Sequence, residues 1–239
     1  TFYIIKKDSE INVKLRLKYW DSKIAKTIMK ISLPSSLGNG GSALGFTMLN
    51  SLIQSYGTET LTAFSMINRI TDLFTQPQMG IGNALTSIIG RNMGAKKYDR
   101  VKDIFKKAIQ IVTIVSLIAS IITIVFRYPL LRIFIKDNSN QLLWAESLEY
   151  LYYSAVIIFF MGLFSALNGF FQGVGKTRYS MNMEAGRLWI FRLPLIWIFG
   201  AFTDIGSTGV WLSMAISNLL ICVYGFYIYY SRDWYSIVE

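Results

Sequence analysis

The stretch AIQIVTIVSLIASIITIVF, Ala108 to Phe126, carries no charged residue from end to end. A helix rises about 1.5 Å per residue, so this one reaches about 28 Å, close to the ~30 Å hydrocarbon core of a bilayer. Its flanks differ in charge. Residues 91 to 107 on the upstream side hold seven Lys and Arg, whereas downstream come only Arg127, Arg132 and Lys136. Working outward, Leu151 to Phe171 and Val210 to Tyr230 are equally plain apolar runs. Three further runs are long enough but weaker, because each contains Pro34, Pro77 or Pro194 and several polar residues. The positions predict spans at about 31–56, 61–90, 108–131, 148–172, 181–203 and 209–231.

Basic residues are retained on the cytoplasmic side of short loops, which tests that count. With six spans, residues 6 to 30 carry eight Lys and Arg, 91 to 107 seven, 176 to 187 three and the C-terminal tail Arg232, all on one face. The opposite face has the three already named, and Arg69 and Arg192 lie inside spans. Dropping any weak helix would put basic loops on both faces. The fold class is therefore an all-α integral membrane bundle of six transmembrane helices, 31–239, with both ends of the segment cytoplasmic.

Composition agrees. Of 239 residues 53% are hydrophobic, 15% aromatic and 16% charged, with no histidine, a profile seldom found in soluble domains. The net charge of +10 does not imply nucleic acid, because the Lys and Arg sit in loops rather than along one helix face. Residues 1–30 read as the tail of a preceding helix followed by a cytoplasmic linker. There Leu17, Trp20, Ile24, Ile28 and Ile31 recur at helical spacing between lysines, as in a helix lying at the lipid interface; a solvated connector is the alternative. Cys222 is the single cysteine and can form no internal disulfide.

Two motifs fail on context. GNGGSA, Gly38 to Ala43, fits a dinucleotide fingerprint but lies in an apolar helix after Pro34, whereas the fingerprint needs a strand before it. GVGKTR, Gly173 to Arg178, lacks the first glycine of a phosphate loop, since Phe170 stands there. Small residues at Gly41, Gly45, Ser165, Gly169 and Gly173 are instead expected to let helices approach closely. Without His, paired Cys or a nucleophile motif, neither a metal site nor an enzyme is expected.

Polar side chains inside spans usually face the bundle interior or water. Ser65, Asn68, Arg69, Asp72, Gln76 and Asn83 fall on one helical stripe. Asn39, Ser42, Asn50 and Gln54 make a looser stripe on the first span, and Asn168 and Asn218 lie in the fourth and sixth. Asp72 is the carboxylate nearest mid-depth; it is read either as the partner of Arg69 in a fixed pair or as a group that couples to a cation or proton. Arg192 either pairs with an interior group or snorkels to the cytoplasmic face.

The runs ALTSIIGRNMGAKKYDRVK (84–102), NGFFQGVGKTRYS (168–180), FRLP (191–194) and GSTGVWLSMAISN (206–218) resemble the second six-helix lobe of multidrug and toxic compound extrusion (MATE) transporters. The resemblance implies a lipid-embedded partner of a first six-helix lobe missing from this sequence. It also implies export of organic cations or amphipathic small molecules by rocker-switch alternating access, against inward flow of H+ or Na+. The cavity residues are then Asn39, Ser42, Asn50, Gln54, Asn68, Arg69, Asp72, Gln76, Met161 and Asn168. Under the same resemblance Ser42 and Met161 fall where the NorM-type branch has cation-binding carboxylates, so coupling is expected to rest on acidic residues of the first lobe. The alternatives are a lipid-linked oligosaccharide flippase of the same superfamily, which needs a more cationic cavity, and a non-transporting membrane scaffold or channel.

Overall fold

The computed structural model describes residues 22–135, 140–231 and 234; within the first helix the side chains at 24, 25, 27, 28, 30–40 and 42 lie outside the description. Asn39 and Ser42 are among these, and most of the expected linker lies outside as well. The chain divides into two compact units, 1–40 and 41–239.

The described residues form helices and no strand. In order they are α1 (Ser22–Gln54), α2 (Thr58–Gly94), α3 (Tyr98–Val125), α4 (Arg127–Phe134), α5 (Gln141–Gly173), α6 (Thr177–Ala185), a π-helical turn (Gly186–Arg192), α7 (Leu193–Phe202) and α8 (Thr208–Ser231). Four continuous helical stretches are long and apolar enough to cross a membrane: Tyr98–Val125, Gln141–Gly173, Thr177–Phe202 and Thr208–Ser231. At 33 and 37 residues α1 and α2 have the length, but their polar residues dilute their hydropathy. Six long helical stretches thus stand where six spans were expected, and four of them qualify on apolarity. GNGGSA lies inside α1, with helix from Ser22 up to it among the described residues.

Local chemistry sets the ends. Asn140 opens α5 by accepting the Leu143 N–H at 2.9 Å, a capping role its short amide suits. Gly57, at φ 134° before α2, takes a conformation that L side chains avoid. α2 ends at Gly94, and the left-handed residue just beyond it is Lys96 at φ 56°. The run expected at 108–131 breaks at Phe126. Pro129 has no N–H to offer the Val125 carbonyl, so the i→i−4 ladder ends there.

α5 is the central helix, packed against α2, α3 and α8. One core cluster gathers Ile89, Phe105, Phe164, Phe170 and Ile221; another gathers Phe64, Ile67, Tyr150, Trp211 and Met214. α2 and α5 cross at small residues. The Ser165 hydroxyl donates to the Gln78 carbonyl at 3.1 Å, and that of Thr86 to the carbonyls of Gly82 and Gly169, each at 3.1 Å. A Cβ on Gly169 would run into the backbone of Gly82, and one on Gly173 would stand 2.8 Å from Ile89 Cβ. Gly45 is close as well, 3.0 Å from Leu188 Cγ by the same measure, whereas Gly41 has open space there.

Candidate functional site

Beside the α2–α5 crossing lie two adjoining cavities, of about 310 Å³ and 130 Å³. Met161 of α5 and Arg187 of the π-helical turn line both. The larger one has apolar walls from Phe46, Phe64, Ile157 and Met214, with Asn68, Asp72, Tyr150 and Arg192 among them. The smaller one includes Asn83, Asn168, Gln172 and Glu184. A mostly apolar recess with a few placed polar groups is the usual form of a small-molecule site.

The π-helical turn places the two arginines. In an α-helix, five residues turn about 500°, leaving 187 and 192 about 140° apart. The wider i→i+5 turn brings them closer to one side of the helix, and both reach the larger cavity. Pro194 follows this turn; it lacks an N–H to close the preceding α turn, and local π adjustments re-satisfy backbone groups that prolines free in membrane helices.

Arg187 is well provided with partners. It makes an ion pair with Glu184 at 3.2 Å. Its Nη1 lies 3.0 Å from Met161 Sδ and its guanidinium carbon 4.8 Å from the centre of the Phe164 ring. Glu184 in turn accepts from Asn168 Nδ2 at 3.2 Å, and Asn168 is bonded to both Gln172 and Ser180. Arg192 is provided with far less. It is 6% exposed, and its Nε donates to the Ser217 hydroxyl at 3.2 Å. It therefore meets a neutral interior group rather than snorkelling outward.

Tyr150 ties the outer wall together. Its hydroxyl donates to Asn68 Oδ1 at 2.8 Å, and its ring stacks on Trp211 with centroids 4.2 Å apart. Asn218, expected to offer its amide to a shared interior, instead donates to the Met214 carbonyl of its own helix at 2.8 Å and is fully buried.

The structure brings Asn68, Asp72, Met161 and Asn168 of the expected set to the cavities. Asn50, Gln54, Arg69 and Gln76 are exposed and line neither cavity. No ion pair joins Arg69 to Asp72, and both stand exposed. Sequence reasoning missed Tyr150, Glu184 and Arg187. Arg187 was counted with the cytoplasmic loop charge, yet its opposite-charge spacing from Glu184, i and i+3, marks a paired helical face.

Such a bundle of membrane-length apolar helices, with charged side chains around a recess at mid-helix, has the architecture of a polytopic membrane protein. The family pattern described as MatE matches residues 34–198, and the chain belongs to that family. The probable multidrug resistance protein NorM of Thermotoga maritima is 25% identical over 214 residues, covering 89% of this chain and 45% of that protein. The probable multidrug resistance protein YpnP of Bacillus subtilis is 26% identical, covering 98% and 51%. A solved structure described as an inward-facing multidrug resistance MATE family transporter of the MOP superfamily superposes with a TM-score of 0.80 at 25% identity, over 93% of this chain and 51% of the other. The chain thus spans about half the length of the relatives it matches.

Proposed function

We propose that this chain is one six-helix lobe of a secondary multidrug transporter, exporting amphipathic small molecules by rocker-switch exposure of the cavity to either side of the membrane. Its spans lie at about 31–56, 61–90, 108–131, 148–172, 181–203 and 209–231, with both ends of the segment cytoplasmic. A second lobe, from further polypeptide or a second copy, closes the cavity from the exposed side of α2. The observation that carries this reading is the pair of adjoining cavities, with charged side chains set among Phe and Met at the middle of membrane-length helices. A scaffold has no use for such a recess, since ionisable groups at depth are costly and mark pathways.

Coupling to H+ or Na+ is assigned chiefly to the other lobe. Arg187 already places a fixed cation 3.0 Å from Met161, where the resemblance would otherwise seek a cation-binding carboxylate, and a further cation there meets repulsion. Asp72, exposed on α2, is this lobe's own candidate for coupling. The test is uphill, saturable efflux of a fluorescent drug from cells expressing the reading frame that carries these residues, with imposed proton or sodium gradients. Gradient-dependent uphill flux that survives neutralisation of Asp72 and stops when the other lobe's carboxylates are neutralised supports the assignment. Flux that follows only the drug's own gradient would leave a channel.

The exposed polar face of α2 is checked by thiol labelling. Cys222 is 3% exposed and the single native cysteine, so the background is low. Cysteines replacing Ser65, Asp72 and Gln76 should react with membrane-impermeant reagents; protection of all three in every state would leave a closed bundle.

A further inference from the structure

Resting on the transporter reading of this cavity, we infer that the cavity selects amphipathic compounds carrying an anionic group, a carboxylate or phosphate, and that Arg192 is the residue that holds it. The difference between the two arginines carries the inference. Arg187 is neutralised by Glu184 and further engaged by Met161 and Phe164. Arg192 is more deeply buried and has a single hydrogen bond, to the neutral Ser217. A guanidinium presents a planar fork of N–H donors matched to two oxygens of an acid group. One bond to a hydroxyl leaves most of that fork without a protein acceptor while the side chain still lines the larger cavity.

Burying a charge is unfavourable unless it is paired and hydrogen-bonded. Here the group able to complete the pairing must come from the cavity. Asp72 lines the same space, but it is exposed and forms no ion pair with Arg192. Phe46, Phe64, Ile157 and Met214 provide the apolar surface for the rest of the ligand, and a volume of about 310 Å³ is at the small end for drug-sized sites. The deep end of the cavity is therefore cationic and its walls are greasy, the reverse of what a lipophilic cation requires.

The test uses three probes with one ring system and different charge: 1-naphthylacetate, 1-naphthylacetamide and 1-naphthylethylammonium. Each is titrated against the full chain in phosphatidylcholine nanodiscs at low and moderate salt. The carboxylate should bind about tenfold or more tightly than the ammonium, the size expected of a charge-assisted hydrogen bond at a desolvated site. Arg192→Gln should bring the three within about twofold of one another. Should Arg192→Gln fail to fold, Arg192→Lys serves: it keeps the charge but loses the fork, and should retain only part of the preference. Asp72→Asn should leave the preference intact or widen it. Adding phosphatidic acid separates the sources of the anion, since competition identifies a lipid headgroup and its absence a soluble acid. Tighter binding of the ammonium, or a preference unchanged in Arg192→Gln, would overturn the inference. A preserved charge preference without gradient-driven flux would instead remove the transporter reading and leave the anion site standing.

Discussion

α2 and α3 are consecutive long helices that both present a broad exposed face, and the two faces are opposite in kind. α3 exposes Ile111, Ile114, Leu117, Ile118, Ile121 and Val125. α2 exposes Ser65, Arg69, Asp72, Gln76 and Asn83 along much of its length, with Leu73, Met79 and Ile88 the large apolar residues among them. Lipid tails satisfy the first face and not the second. Exposure in a single lobe therefore has two meanings: one side meets hydrocarbon, the other meets water or a further set of helices. The identity of the side chains, not the extent of their exposure, tells which is which.

That comparison breaks most sharply with a charge on each face. Ile118→Lys should cost about 2.5–3.5 kcal/mol of bilayer stability if its face meets lipid, measured by denaturant titration in bicelles. Gln76→Lys, on the other face, should cost less than about 1 kcal/mol on the same reasoning. Similar costs at the two sites would erase the distinction. Next in size, Gly169→Val drives a branched side chain into the Gly82 backbone and should cost about 1–3 kcal/mol as overpacking, read as a lowered melting temperature. A smaller effect is expected for Ser165→Ala, which removes the bond to the Gln78 carbonyl; hydrogen bonds between membrane helices average about 0.6 kcal/mol.

The smallest effect lies at the start of α2. The Glu59 carboxyl is held below its ordinary value of 4.5, first by the backbone amide of Glu59 itself and then by the Thr58 hydroxyl, 2.9 Å away. A carboxylate whose pKa is lower in the folded protein stabilises it above the unfolded value, and that contribution fades as pH falls through the folded one. Wild type should thus lose slightly more stability than Glu59→Gln on acidification below about pH 4.5. Parallel acid titrations of the two would show it, and coincident curves would remove the contribution.

Hydropathy and loop charge made the all-helical membrane fold legible, since Ala108 to Phe126 admits no other home and the basic loops alternate. The tight α2–α5 crossing was legible too, because Ser165, Gly169 and Gly173 recur at helical spacing. The candidate site was legible only in part. Asn68, Asp72, Met161 and Asn168 reach the cavities, but a stripe drawn at 3.6 residues per turn cannot say which end of it bends toward neighbouring helices, so Arg69 and Gln76 were grouped with them. Arg187 was out of reach for a sharper reason. Every facial assignment assumed α-helical turning, and the wider turn before Pro194 changes which residues share a side. Local deviations of this kind leave little trace in periodicity.

The seam at Gly82 and Gly169 bears on how the protein can move. With backbone against backbone and hydroxyl bonds bridging the gap, the proposed rocking motion would carry α2 and α5 as a single lever. Asn68, Asp72, Tyr150 and Asn168 ride on that lever together. The give that reshapes the recess must then come from its other wall, where the widened turn at Gly186–Arg192 carries both guanidiniums.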